Sequence, residues 1–421
     1  MTTQRTARRF RPLRATAVVL AASGALVGGT FTTAAVAGTA PDTGAVRSAP
    51  AAPLAPGVDY RDFTIIASAG TVHGHLVSVD LHDPHIAVDL LHGASVTDRQ
   101  PVSALADAQG AVAGVNADFF NIDESQHPGV PATGSSNGPA IAAGHELKAA
   151  VPNGQRFGPA LPSGTSTKDV IGVGADRRAR LDTLTLEGAA LTQDGTLPLA
   201  GLNQYALPVG GVGAYTSDWG TVSRARAACG TDTQRGAPCT TDTYEVTVRH
   251  DHVVARSDTP GTGAVAPGSV VLLGREAGAD ALRALPDGAY VHVAHHLAGT
   301  GRTPLRFAVG GFPVLRDGSP LPGLDTVTAA TRTAAGLGDG GRRLYLLALD
   351  GTAETSAGLT ISELAAVLQD FGATDGINLD GGGSTTLVTR DPGADRVTVR
   401  NHPGGGAERP VPNGVGVFTR P

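Results

Sequence analysis

Two runs decide the fold of this chain: Arg343-Leu344-Tyr345-Leu346-Leu347-Ala348-Leu349-Asp350-Gly351 and Ile377-Asn378-Leu379-Asp380-Gly381-Gly382-Gly383-Ser384-Thr385. The first is almost continuously apolar and stops at Asp350-Gly351, which fits a strand buried on both faces and closed by a turn. Between the runs, Thr360 and Glu363 stand at capping-box spacing. Ile361, Leu364, Ala365, Leu368 and Phe371 then trace one helical face up to Gly372. The order is strand, helix, strand, glycine turn. We expect an α+β fold: a mixed sheet core with few helices, a glycine-rich loop at the end of a strand, and a loop-rich insertion. If the two strands run parallel, Asp350 and Asp380 reach the same edge.

Working outward, strand patterns recur at Val270 to Leu273, Tyr290 to His295 and Phe307 to Val309, and Gly310-Gly311 reads as a bulge or tight bend. Residues from about 140 to 300 are rich in Gly, Pro, Ser and Thr and read as the insertion, with weak strands near Leu181 to Leu186 and Tyr244 to Arg249. Further back, the small apolar run Ala111 to Asn116 leads directly into Asp118-Phe119-Phe120. Pro101 sits behind Asp98 at a helix start, with Val102, Leu105 and Ala108 on one face and Gly110 as a stop. Alternating runs between Tyr60 and Leu91 predict antiparallel strands, giving an N-terminal β-rich region over 57–110 ahead of a larger domain over 111–421.

The beginning of the chain has a different character. Arg5, Arg8, Arg9, Arg11 and Arg14 precede an apolar run from Ala15 to Val27, and Ala35-Val36-Ala37 offers a small-residue cleavage site. Residues 1–37 read as an export signal, and residues 38–56, poor in large apolar side chains, as a disordered linker. The whole chain carries a net charge of −6. Cleavage after Ala37 would leave 27 basic against 38 acidic residues, a surface that repels nucleic acid. No later apolar stretch has the length of a membrane span, so no membrane contact is expected after cleavage. Cys229 and Cys239 are the only cysteines; in an exported protein they suggest one local disulfide rather than a metal site.

The residues able to carry chemistry cluster at strand ends. In Asn378 to Thr385, three glycines allow close backbone approach and could point consecutive N–H groups into an anion-binding nest, with Asp380 beside it as base, nucleophile or metal ligand. Alternation places Asn116 and Asp118 on one face. Arg332 could grip phosphate with its guanidinium fork, whereas Glu408 to Asn413, which holds Arg409, reads on its own as an ordinary charged turn. Each element alone also fits an ordinary turn or a solvated charge. His292, His295 and His296 do not share a face, which argues against a metal centre there.

In order, these motifs resemble the phosphodiester glycosidase family. The resemblance runs from about Ala111 to Phe418 and rests on Asn116 to Phe120, Gly310-Gly311 with Pro313, Arg332-Thr333-Ala334, Asp350-Gly351, the helix Leu359 to Phe371, Ile377 to Thr385, and Arg409 to Asn413. It implies hydrolysis at an anomeric carbon, releasing free sugar and leaving a phosphomonoester. A phosphate leaving group tolerates negative charge, so a cationic clamp can stand in for part of a general acid. Arg332, Arg409 and Gly381 to Gly383 are the candidates for that clamp. Asp380 and Asp118 are candidates for base or nucleophile, with Asn116, Asn378, Ser384, Thr385 and Asp350 around the substrate. The implied partner is a sugar-1-phosphodiester or a phosphate-containing polysaccharide. No cofactor is required. Asn116, Asp118 and Asp380 would nevertheless suit Ca²⁺ or Mg²⁺, and an essential ion would favour metal-assisted phosphodiester cleavage instead. A non-catalytic polysaccharide binder is the alternative from another class.

Overall fold

The strand Thr333–Gly338, with sequence Thr-Ala-Ala-Gly-Leu-Gly, is buried along its whole length and holds the centre of the fold. On one side it pairs with Arg343–Leu349, on the other with Asp375–Leu379, antiparallel to both. Arg343–Leu349 and Asp375–Leu379 therefore point the same way with one strand between them. Their ends meet at Thr333, which is opposite both Ala348 and Leu379. Asp350 and Asp380 lie at the same edge of the sheet, two strand spacings or roughly 10 Å apart along the backbone.

These strands belong to a nine-stranded sheet that continues through Gly70–Asp80 and Val58–Ala67 on one flank and Phe312–Arg316 on the other. Val58–Ala67 and Gly70–Asp80 thus belong to the main sheet, while Ile86–His92 pairs with Asn413–Thr419 in another. The computed structural model describes residues 44–351 and 357–420; the expected export signal lies outside the described residues. Part of the expected linker does not behave as one, because Arg47–Ser48 and Ala52–Ala55 both pair with Val58–Ala67. Backbone hydrogen bonding to an exposed sheet edge asks little of side chains, so a composition without large apolar groups did not prevent it.

Alternation sends the central strands' side chains to two cores. Leu344, Leu346, Ala348, Ala335, Ile377 and Leu379 join Val115, Val415 and Val417 of a second, five-stranded sheet. That sheet contains Ala113–Asn116 between Leu387–Thr389 and Asn413–Thr419. On the opposite face, Leu347, Leu349 and Ala334 pack against Ile361, Leu364 and Leu368 of the helix Ile361–Asp370. Glycine makes room for that helix: a Cβ on Gly376 would lie 2.6 Å from Leu368 Cδ1. Its start carries the expected capping box, with Thr360 Oγ1 accepting from the Glu363 N–H at 3.2 Å and Glu363 Oε2 from the Thr360 N–H at 2.8 Å. Such a cap contributes about 1 kcal/mol.

The helix predicted after Pro101 runs Val102–Gln109, ending at Gly110 with φ 74°. Its buried face is Val102, Leu105 and Ala106, with Ala108 turned outward, because a helix this short meets the sheet over a narrow stripe. The insertion holds more strand than its composition suggests. Its segments enter three further sheets, and Ala190, Leu202, Val246, Leu272 and Val291 share a core of their own.

Candidate functional site

The two main sheets are joined where Ala113–Asn116 and Asp375–Leu379 end. The Asp380 N–H donates to the Ala117 carbonyl at 2.7 Å, and Asn116 Nδ2 donates to the Asp380 carbonyl at 2.6 Å. Asn116 Oδ1 accepts from Thr333 Oγ1 at 2.8 Å and from the Thr386 N–H at 3.0 Å. Asn116, expected near the substrate, is thus a buried connector that fixes Asp380 against Asp118.

Asp118 is buried, and its Oδ2 accepts from the Gly138 N–H at 2.6 Å. Loss of hydration drives its pKa above the usual carboxylate range, with Lys148, Gly138 and Ser136 opposing the shift. Lys148 is itself buried and donates to the Gly138 carbonyl at 2.5 Å and the Ala149 carbonyl at 2.9 Å. Burial lowers its pKa from 10.5 to about 8 against the pull of Asp118. Asp380, partly buried, is pushed from 3.8 to about 7 chiefly by desolvation. The charges acting on it are Arg409, which lowers it, and Asp118, which raises it further. Two neighbouring carboxyls with elevated pKa values at one strand edge can hold and release a proton near neutral pH.

The glycine motif carries a tight 3-10 turn, Gly382–Ser384. The Gly382 N–H donates to the Thr331 carbonyl, the Ser384 N–H to Gly381 and the Thr385 N–H to Gly382, so these donors already have partners. The glycines are needed for close approach: a Cβ on Gly381 would lie 2.5 Å from the Thr331 carbonyl oxygen, and one on Gly383 would lie 2.4 Å from Arg409 Nη2. Gly382 has φ +60°. Arg409 Nη1 donates to Ser384 Oγ at 3.1 Å. The motif therefore brings a guanidinium, a hydroxyl and the Asp380 carboxyl together.

The other expected residues are distributed around this centre. Arg332 is buried, and its guanidinium donates from Nε to the Leu359 carbonyl at 2.9 Å and from Nη2 to the Thr328 carbonyl at 2.7 Å. It braces the segment that carries the Thr331 carbonyl. Asn378 is buried with neither amide atom hydrogen bonded among the described residues, and so is the Thr385 hydroxyl. Asp350 Oδ1 accepts from His75 Nε2 at 3.1 Å and from the His402 N–H at 2.7 Å. Burial would raise Asp350, but these hydrogen bonds hold it below the usual range.

Sequence reasoning missed Lys148, Gly138, His75 and His402. One signal for Lys148 was available, since it is one of only two lysines in a chain whose other basic residues are arginine. The residues fit a divalent cation poorly, because the Asn116 oxygen already has two donors and the two carboxyls have Arg409 and Lys148 beside them. Among the described residues, the single cluster of metal-donating side chains is His127, Cys229 and Cys239. Its two cysteines form the expected disulfide.

The model of the phosphodiester glycosidase family matches residues 242–418. Over this segment the chain is similar to the phosphodiester glycosidase domain. It holds Arg332, Asp350, Asp380, the glycine motif and Arg409, while Asn116, Asp118 and Lys148 come from outside the matched segment of the chain. The fold is similar to the crystal structure of a hypothetical protein from Synechocystis, with TM-score 0.67 and 19% identity over 88% of this chain. The chain spans 64% of that protein's length. A candidate exported protein from Burkholderia pseudomallei is similar at TM-score 0.67 and 19% identity, over 89% of this chain and 96% of the other. The catalytic domain of zebrafish N-acetylglucosamine-1-phosphodiester alpha-N-acetylglucosaminidase, auto-inhibited by its pro-peptide, aligns at TM-score 0.43 and 15% identity over 89% of each chain. No curated protein matches. Among the described residues, no helix is long and apolar enough to cross a membrane.

Proposed function

We propose that this protein is a secreted phosphodiester glycosidase, a hydrolase that cleaves the glycosidic C–O bond of a sugar-1-phosphodiester on a cell-wall or extracellular polysaccharide. The observation that carries the reading is the joining of Asp380, raised to about 7, with Arg409 across the Gly383 gap. A base with that pKa is half ionised at neutral pH, where proton transfer is most effective. Asp380 takes a proton from the attacking water as its oxygen bonds to the anomeric carbon. The C–O bond breaks, and its electron pair leaves on the phosphate, which becomes a phosphomonoester. Arg409 faces the growing charge on that phosphate, and the fixed guanidinium needs no reorganisation. Asp118 keeps Asp380 basic through its charge and favours positive charge developing on the sugar ring.

Export is supported by the arginine-rich, apolar start of the sequence and by the Cys229–Cys239 disulfide, which suits an oxidising compartment. The deciding experiment incubates the mature protein with a panel of sugar-1-phosphodiesters and identifies the products by mass spectrometry. Free sugar with a new phosphomonoester is the expected result. Sugar phosphate plus alcohol would instead establish P–O cleavage, and binding without turnover would make the protein a polysaccharide-binding module.

A further inference from the structure

A second polar array lies beside the site. The Tyr60 hydroxyl is 2.8 Å from His75 Nδ1, and His75 Nε2 is 3.1 Å from Asp350 Oδ1. Asp350 Oδ1 also lies 3.1 Å from His402 Nδ1. A carboxylate only accepts, so the donors can be ordered: Tyr60 donates to His75 Nδ1, His75 donates from Nε2 to Asp350, and His402 donates from Nδ1 to the same oxygen. His75 and Asp350 are buried, whereas the His402 side chain is 66% exposed. The array begins inside the sheet and ends on an exposed imidazole whose Nε2 is its remaining nitrogen.

The position of the last residue gives the array meaning. His402 opens the glycine-rich stretch His402-Pro403-Gly404-Gly405-Gly406 that leads to Arg409. The Gly351 N–H donates to the His402 carbonyl at 2.7 Å. A Cβ on Gly404 would lie 3.8 Å from both Gly351 Cα and Gly383 Cα, so this loop touches the glycine motif. Asn401 fixes its base, with Nδ2 donating to the Thr385 carbonyl at 2.9 Å and Oδ1 accepting from the Leu387 N–H at 2.8 Å. The loop therefore starts at His402 and ends at Arg409, with Gly383 against both its middle and its end. Arg332 has two of its guanidinium nitrogens bonded to carbonyls, which leaves the clamp short of a second cation.

We propose that His402, oriented by Asp350 and the His75–Tyr60 pair behind it, is the second phosphate-binding residue of the site, alongside Arg409. The inference rests on the reading of the site as one that binds a phosphodiester. Asp350 and His75 are positioning residues. Asp350 holds the ring from its Nδ1 side, so Nε2 is the nitrogen left to meet phosphate.

The test measures binding of inorganic phosphate to the mature protein by isothermal titration at pH 6, independently of turnover. His402 is exposed, so its variants should fold. Expected is a loss of about 10-fold or more in phosphate affinity for His402→Gln, in line with the loss of one charge-assisted hydrogen bond. His402→Arg should recover most of it by offering guanidinium N–H donors from the same position. Asp350→Asn should give a smaller loss, with the His402 ring resonances no longer shifting on phosphate addition. Unchanged affinity in His402→Gln overturns the proposal while leaving Arg409 and the phosphodiester reading intact. Absence of phosphate binding in the unsubstituted protein also overturns it, and the product analysis then decides the reaction separately.

Discussion

Asp118 and Lys148 grip the two ends of one residue: the Gly138 N–H donates to Asp118 Oδ2 at 2.6 Å, and the Gly138 carbonyl accepts from Lys148 Nζ at 2.5 Å. Both side chains are buried, and each moderates the cost of burying the other's charge. A Cβ on Gly138 would lie 2.7 Å from Gly310 Cα, so the gripped residue has no room for a side chain. Lys148→Met removes the cation while keeping the volume, leaving Asp118 without its compensation. A stability loss of roughly 2–4 kcal/mol is expected by urea denaturation at pH 7. Adding Asp118→Asn should restore most of the stability and none of the activity; a double variant as unstable as the single one would sink this account.

Asp380→Asn should reduce kcat/KM by about 10²–10⁴-fold, the usual contribution of a positioned base. The same change should stabilise the protein. A carboxyl with its pKa raised to about 7 binds its proton more tightly in the folded state than in the unfolded one. Its stabilising influence is greatest below about 4 and is lost as pH rises through about 7. Replacing it with a neutral amide should gain roughly 1–3 kcal/mol at pH 8 and close to nothing at pH 4. Equal effects at both pH values would show that the charge on Asp380 is not the cause.

The rate should depend on pH in a matching way. With Asp380 as base, kcat/KM rises with pH through about 7 and levels off above it. Lys148, lowered to about 8, loses its proton next, and activity should fall as Asp118 loses its cationic neighbour. A narrow bell centred between these values is expected from initial rates measured from pH 5 to 10. A rate that falls steadily from pH 5 upward would make Asp380 an acid instead.

Gly383→Ala places a methyl group where the Arg409 guanidinium now lies, 2.4 Å from Nη2. The backbone at this position is not in the left-handed region, so the fold should tolerate the change. The expected outcome is a 10- to 100-fold loss in kcat/KM on phosphodiester substrates, similar to that of Arg409→Ala, with an unchanged melting temperature. Retained activity would mean that Arg409 can work from another position.

Arg332→Ala should behave differently from Arg409→Ala. Its two carbonyl partners would be left unsatisfied in a buried setting, and a destabilisation of about 2–3 kcal/mol is expected. KM for phosphodiester relative to neutral glycoside should stay nearly constant. A selective rise in KM for the phosphodiester would return Arg332 to direct contact with phosphate.

Much of the central architecture could be read locally. The apolar run to Leu349, the Thr360–Glu363 cap and the stripe from Ile361 to Leu368 are short-range patterns, and all three are in place. The turn at Gly381 to Gly383 was also legible, but its chemistry was not. Where the Gly382 N–H goes depends on the Thr331 carbonyl, which comes from the segment just ahead of the strand Thr333–Gly338. Lys148 was hidden for a similar reason, since a lysine in a short strand normally extends into water.

The sequence by itself determined the central strand-helix-strand unit, which carboxyls stand at its strand ends, and where its glycine turn falls. Those features follow from periodicity, capping and turn chemistry acting over a few residues. Only the tertiary structure decided which of those polar groups remain available to a substrate. Asn116 and Arg332 are held by other parts of the protein, while His402, unremarkable in sequence, is turned by Asp350 beside the glycine motif. Most buried donors and acceptors find partners, and those of Asn116 and Arg332 lie on other segments of the chain.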